Sequence, residues 1–345
     1  MDPEAAFDPP RAHGAPLAEV SVRTEPEDFQ VEESLGFAPA GAGAHVLLQV
    51  RKREANTDWV ARELARCAGC RPGEVGYAGL KDRRAVAVQW FSVPRGRRPS
   101  AQWPGVRGEG FEVLAAHEHS RKLPRGALEG NRFRIRARGE PPPPQWLEER
   151  VRLIGSRGVP NYFGPQRFGR GGSNLTHAPL DPRSLRPRER GFVLSAERSL
   201  VFNAVLAERV REGRWAQLEA GDRAILDGRG SHFAVEAPDA TLAARAERLE
   251  IHPSGPMWGG GLPQSDGAIR ALEARVAGQY AGLCARLEAA GLRQERRSLR
   301  VAVRELSARI EPDAVVLEFR LTRGAYATAV LRELFALADY QPSST

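Results

Sequence analysis

Apolar and polar positions alternate with a period of two through most of the first 140 residues, and this pattern predicts strands. Residues 17–33 (LAEVSVRTEPEDFQVEE) read as strand interrupted by a turn at Pro26, and 45–53 (HVLLQVRKR) as a second strand. Asn56 and Thr57 then precede Trp59, Val60, Leu64 and Cys67 at helical spacing, so a capped helix is expected there. GYAG at 76–79 is strand-like, breaks at glycine, and gives way to GLKDRRA before AVAVQWFSV resumes at 85–93. Further strands are expected at 111–118 and 131–137.

The proline run at 141–145 (PPPPQ) marks a boundary, after which WLEERVRLIGSRG has helical spacing. Helices are expected at about 195–212, 239–248 and 264–290, separated by strand-like RAILD and SHFAVE. Strand character returns in SLRVAVREL and AVVLEFRL. The closing RGAYATAVLRELFAL predicts an amphipathic helix starting near Ala325, with Tyr326 in its first turn. Both ends of the chain are strand-rich and the middle is not, so the middle reads as an insertion into a discontinuous domain.

Composition adds a sign and removes some chemistry. The net charge is +8 and the pI near 10.0, which suits either a polyanionic partner or a solvated basic surface. Only Lys52, Lys81 and Lys122 among the 51 basic residues are lysine, a usage that follows G+C-rich coding and discounts arginine abundance as evidence of phosphate binding. No apolar stretch reaches membrane-spanning length and the start lacks a signal-peptide core, so a soluble, cytoplasmic protein is expected. Cys67 and Cys70 have redox or half-zinc spacing but no second pair, and they end a helical run; structural filler and no metal are expected.

Three segments carry candidate chemistry. Asp82 lies in the turn GLKDRRA beside Lys81, Arg83 and Arg84, which favour its ionised form; a turn aspartate bonded to its own backbone is the plainer alternative. In NRFRIRAR at 131–138, strict alternation puts Arg132, Arg134, Arg136 and Arg138 on one face, toward solvent or phosphate. Asn131, Phe133, Ile135 and Ala137 share the other, as core or as a polar tip and flat ring at the strand's edge. The loop PNYFGPQRFGRGGSNL at 160–175 interleaves aromatics, arginine and glycine, a composition suited to stacking on bases.

PEDFQVEE, GYAGLKDRRAVAVQWFSV, RKLPRGALEGNRF, GVPNYFGPQRFGRGGSNL and GAYATAVLREL, in this order, closely resemble the tRNA pseudouridine synthase D (TruD) family. The resemblance implies an α+β fold: a pseudouridine synthase-like catalytic domain with a mixed or antiparallel sheet and flanking helices, at 1–156 and 303–345. It also implies an inserted α/β TRUD domain at 157–302. The implied reaction isomerises uridine 13 of tRNA to pseudouridine without a cofactor, with Asp82 as nucleophile. Phe29, Asn131, Phe133 and Tyr326 fall on substrate-binding positions, with tyrosine where the family pattern has phenylalanine. Arg23 falls where a lysine partner of the aspartate is expected. Lys81, Arg83, Lys122 and Arg167 are candidate RNA contacts, and tRNA is the expected partner of a monomer. An RNA-binding module without turnover and, more distantly, a metal-dependent hydrolase are the alternatives; the first chemical step of Asp82 stays open between attack on the nucleotide and deprotonation of the sugar.

Overall fold

The computed structural model describes residues 7–96, 98–176 and 184–338. The alternating segments assemble into a nine-stranded mixed sheet. Its order is Arg304–Glu311, Ala314–Thr322, Gly130–Arg138, Phe29–Ser34, Val86–Pro94, His45–Arg53, Phe111–His119, Arg107–Gly108. Gly76–Tyr77 pairs with Val86–Pro94 off this path. Phe29–Ser34 runs parallel to Val86–Pro94 and antiparallel to Gly130–Arg138. The helix Thr57–Ala68 covers one face, burying Val60, Ala61, Leu64 and Ala65 against Leu48, Val50, Phe91 and Val113. Asn56 occupies its N-cap position without a side-chain capping bond, and Gly69, at φ 69°, ends it in the left-handed conformation.

The alternation in Gly130–Arg138 is realised as expected, with Phe133, Ile135 and Ala137 buried. The arginine face is charge-compensated across the strands. Arg132 and Arg134 lie 3.7 and 3.5 Å from Glu318, Arg136 lies 2.8 Å from Asp313, and Arg138 forks onto Asp28 at 2.8–3.0 Å.

The chain divides into two compact units. One contains residues 20–141 and 305–324, hence most of the large sheet; the other contains the described residues of 1–19, 142–304 and 325–342. In this second unit a four-stranded sheet has the order His232–Ala234, Arg223–Leu226, Ile251–Met257, Glu295–Ser298. Three elements differ from the pattern. The helix expected at 195–212 spans Pro187–Arg211, with Pro187 in its first turn where a missing N–H costs nothing. The segment 264–290 is two helices, Gly267–Gly278 and Ala281–Ala289. Ile251–Met257 is an interior strand that the pattern did not reveal, because Pro253 and Pro256 punctuate it and each removes a ladder donor.

The aromatic loop also packs differently from its composition. Tyr162, Phe163 and Phe168 are buried with Leu200, Phe202 and Val205, so these rings are core rather than an exposed stacking platform. No helix among the described residues is long and apolar enough to cross a membrane. The fold is thus the expected α+β, a mixed sheet with flanking helices and a second, helix-rich unit.

Candidate active site

Asp82 owes its position to a change of partner along one strand. Val86–Pro94 pairs with Phe29–Ser34 through Val86–Val88 and with Gly76–Tyr77 through Phe91 and Ser92. The chain leaving Tyr77 meets a slot already filled by Phe29–Ser34, so residues 78–85 lift off the sheet as a loop. Gly76 is required at the crossing, since a Cβ there would stand 2.5 Å from the Leu123 carbonyl oxygen.

Buried polar groups hold this loop from below. Where the ladder changes partner, the Trp90 N–H donates to Glu33 Oε2 at 2.8 Å, and Gln89 Nε2 donates to the Gly79 carbonyl at 2.6 Å. Thr57 Oγ1 donates to Gln89 Oε1 at 3.1 Å and accepts from the Lys81 N–H at 3.2 Å. Lys81 turns its side chain inward, its ammonium 2.6 Å from Glu33 Oε1. Burial pushes the Glu33 carboxyl up, and the ammonium of Lys81 opposes that shift. Lys52, completely buried, donates from Nζ to the carbonyls of Ala55 (2.9 Å), Lys81 (3.2 Å) and Asp82 (2.8 Å).

Above this floor the Asp82 side chain is 37 % exposed, and its Oδ2 accepts from Arg23 Nη2 at 2.6 Å. Arg23 reaches it from a left-handed backbone, φ 65°, a conformation that costs a non-glycine residue about 1–2 kcal/mol. Its guanidinium also lies over the Phe29 ring, 4.1 Å from the centroid. Phe29 meets Phe133 edge to face at 6.0 Å, and Phe133 stacks on Phe319 at 5.3 Å. Phe133 is only 6 % exposed. Asn131 stands opposite Glu33 in the ladder, and its Oδ1 is buried without a hydrogen-bond donor. An unfilled buried acceptor costs about 1–3 kcal/mol and is a place for a ligand donor.

Tyr326 belongs to the other unit. It is the N-cap of the helix Ala327–Leu334, extended at φ −113°, and not in the first turn where the pattern put it. Its hydroxyl, absent from a phenylalanine, accepts from Arg167 Nη2 at 2.5 Å. Arg167 Nη1 reaches Ser195 Oγ at 3.0 Å, and the ring of Phe163 packs 6.0 Å from that of Tyr326. Arg297 lies 4.1 Å from the centroid of Phe163 and 6.0 Å from that of Tyr326. Desolvation lowers its pKa to about 10, which leaves it charged at neutral pH.

Of the remaining basic candidates, Arg83 is exposed and donates to the Glu54 carbonyl at 3.2 Å, while Lys122 is exposed and donates to the Gly73 carbonyl at 2.5 Å. Sequence reasoning missed Lys52, Glu33, Gln89 and Thr57. Three of them carried a signal: Lys52 is in phase with Val46, Leu48 and Val50, Glu33 with Phe29 and Val31, Gln89 with Ala87 and Phe91. A polar residue on the apolar face of a strand is the observation that finds them. Among the described residues no three His, Cys, Asp or Glu side chains gather as a metal site.

The fold is that of a pseudouridine synthase. A crystal structure from Methanosarcina mazei, provisionally assigned as a tRNA pseudouridine synthase D, superposes with a TM-score of 0.69 over 96 % of this chain and 95 % of its own, at 20 % identity. The family model described as tRNA pseudouridine synthase D (TruD) matches residues 13–178 and 183–334, and the chain belongs to that family. Relatives named tRNA pseudouridine synthase D include one from Methylococcus capsulatus, 47 % identical over 95 % of this chain and 94 % of the relative. Another, from Chromohalobacter salexigens, is 45 % identical over 94 % and 95 % respectively.

Proposed function

We propose that the protein isomerises uridine 13 of tRNA to pseudouridine, with Asp82 as the nucleophile and no cofactor. The observation that carries this reading is the Asp82 carboxylate itself: partly exposed, on a loop fixed from beneath, and bonded at 2.6 Å to Arg23. The Arg23 bond engages Oδ2, and the side chain is exposed enough to meet a substrate. The N1–C1′ bond breaks, the uracil turns, C5 bonds to C1′ and gives up its proton, and N1 takes up a proton, so the reaction conserves atoms and electrons. A uridine has to leave its stack to reach such a group. Asn131 Oδ1 is suited to accept from the uracil N3–H, and Phe29 and Phe133 supply the apolar edge of the pocket. Phe319 already stacks on one side of the Phe133 ring, which leaves at most the other side for the base.

Tyr326, bonded to Arg167, is a further substrate-binding residue in this reading, and Arg83 and Lys122 are exposed cations available to RNA phosphates. The protein acts as a cytoplasmic monomer, with residues 1–156 and 303–345 as the catalytic domain and 157–302 as the inserted domain. Asp82→Asn tests the assignment. Pseudouridine formation on unmodified tRNA is expected to fall by more than about 10³-fold, with tRNA affinity within about threefold. Wild-type turnover by this variant removes Asp82 from the mechanism, and mapping the product position tests uridine 13.

A further inference from the structure

We propose that Lys52 is a positioning residue for the reaction: its buried ammonium ties down the backbone of the Asp82 turn and thereby fixes where the carboxylate points. This rests on the reading of Asp82 as nucleophile.

The geometry is unusual for a lysine. The side chain leaves the strand His45–Arg53 on its apolar face and ends fully buried, with no carboxylate among the described residues bonded to Nζ. Its three protons instead meet three backbone carbonyls, those of Ala55, Lys81 and Asp82. A buried ammonium is costly, and full satisfaction by fixed acceptors is the condition under which it persists. Two of these acceptors are consecutive carbonyls of the one turn that carries the catalytic group. The carbonyls of residues 81 and 82 are thus turned inward, which rotates the Asp82 side chain outward toward Arg23. Lys81 and Glu33 hold the same turn by a side chain, so the peptide at 81–82 is gripped on two sides.

The grip depends on the proton. A neutral amine has two N–H donors and a lone pair, and the lone pair would face a carbonyl oxygen. Burial lowers the Lys52 pKa to about 8. The charged groups facing it are the Asp82 carboxylate and Glu33, which favour the ammonium, and Lys81, which opposes it; Thr57 and Gln89 nearby are neutral. Above about pH 8 the latch loosens, and the turn should lose its fixed geometry while the sheet beneath stays folded.

The test compares wild type, Lys52→Met, Lys52→Arg and Asp82→Asn in single-turnover assays on tRNA between pH 6.5 and 9.5, with hydrogen exchange at the Lys81 amide, which donates to Thr57. Misplacing a reacting group by about 1 Å costs roughly 100-fold in rate. A loss of that size is therefore expected for K52M at pH 7, with tRNA Kd unchanged. Wild type should lose activity with a midpoint near pH 8, and K52R should move that midpoint upward. Wild-type turnover by a folded K52M, or an alkaline limb that K52R leaves in place, overturns the proposal. If neither variant folds, the wild type decides: Lys81 amide protection that falls above pH 8 supports the latch, and protection constant to pH 9.5 refutes it. The amide readout survives in D82N, its midpoint moved to lower pH by the loss of the Asp82 charge, so an active D82N would defeat the nucleophile reading while the Lys81 amide still reports on the latch.

Discussion

Arg23 and Tyr326 are the two positions where this chain carries a different residue from the one its family resemblance leads one to expect, and each exchange has a visible consequence. At 23 the guanidinium does two things a lysine cannot do together: it bonds Asp82 and lies flat over Phe29. Arg23→Lys is expected to keep the charge and lose the stacking, lowering kcat by about tenfold, whereas Arg23→Ala should cost roughly 100-fold. A single-turnover series separates the two. At 326 the added hydroxyl accepts from Arg167, and Tyr326→Phe keeps the ring while stranding that donor. We expect a stability loss of about 1 kcal/mol in urea titration, with activity within a few-fold of wild type. Asp82 itself was legible as a candidate from its turn and its basic neighbours. Its partner Arg23, 59 residues away, was placed only by the family resemblance, because no local pattern pairs two residues that folding alone brings together.

At the level of the strand, alternation predicted most of what the sheet contains. Phe29, Phe133 and Ile135 point inward as their phase requires, and the arginines between them point outward. What alternation cannot supply is register. Glu33 and Asn131 are directly opposite, and Gln89 lies in the adjoining strand, so three inward polar residues from three strands meet beneath one loop. Each alone looks like an exception to the pattern; together they form the floor of the site. Removing one member of a buried ion pair leaves the other uncompensated, so Glu33→Ala should cost about 3–5 kcal/mol by denaturant unfolding. Glu33→Gln should cost less, because its amide oxygen can still accept from the Trp90 N–H. The loop 160–175 shows the reverse failure: its composition resembled a surface for bases, but burial of Tyr162, Phe163 and Phe168 made those rings core. Composition does not say which side of a ring is already covered.

At the scale of the whole molecule, buried histidines contribute a loss of stability in acid, and His13 and His252 are two of them. His13 bonds the Gly158 carbonyl through Nε2 and keeps Nδ1 buried, and desolvation lowers its pKa from 6.5 to about 4. His252, between Asp227 and Arg300, is lowered for the same reason. Below pH 6.5 the unfolded chain binds protons that the folded one refuses, so stability is full above 6.5 and declines as pH falls toward 4. For His13 the loss amounts to ~3 kcal/mol at the acid end. Thermal melts from pH 7 to 4.5 should show this decline, and His13→Gln should flatten it. The division into units was only partly legible: the proline run at 141–145 lies at one boundary. The assignment of residues 7–19 and 325–338 to the helix-rich unit arises from contacts such as Arg150 with Glu333, which no local pattern encodes.

The cross-strand ion pairs on the arginine face bear on how the protein would sense its ionic surroundings. Glu318, shared by Arg132 and Arg134, and Asp313, beside Arg136, compete with a polyanion for these guanidinium groups. The gross count of 51 basic residues therefore overstates the number of counterions released on tRNA binding. Arg134→Gln, which leaves Arg132 alone with Glu318, should flatten the slope of log Kd against log salt, while Glu318→Gln, which removes the carboxylate the two arginines share, should steepen it. The carboxylates of this face, as much as its arginines, would then set how far salt weakens the binding of tRNA.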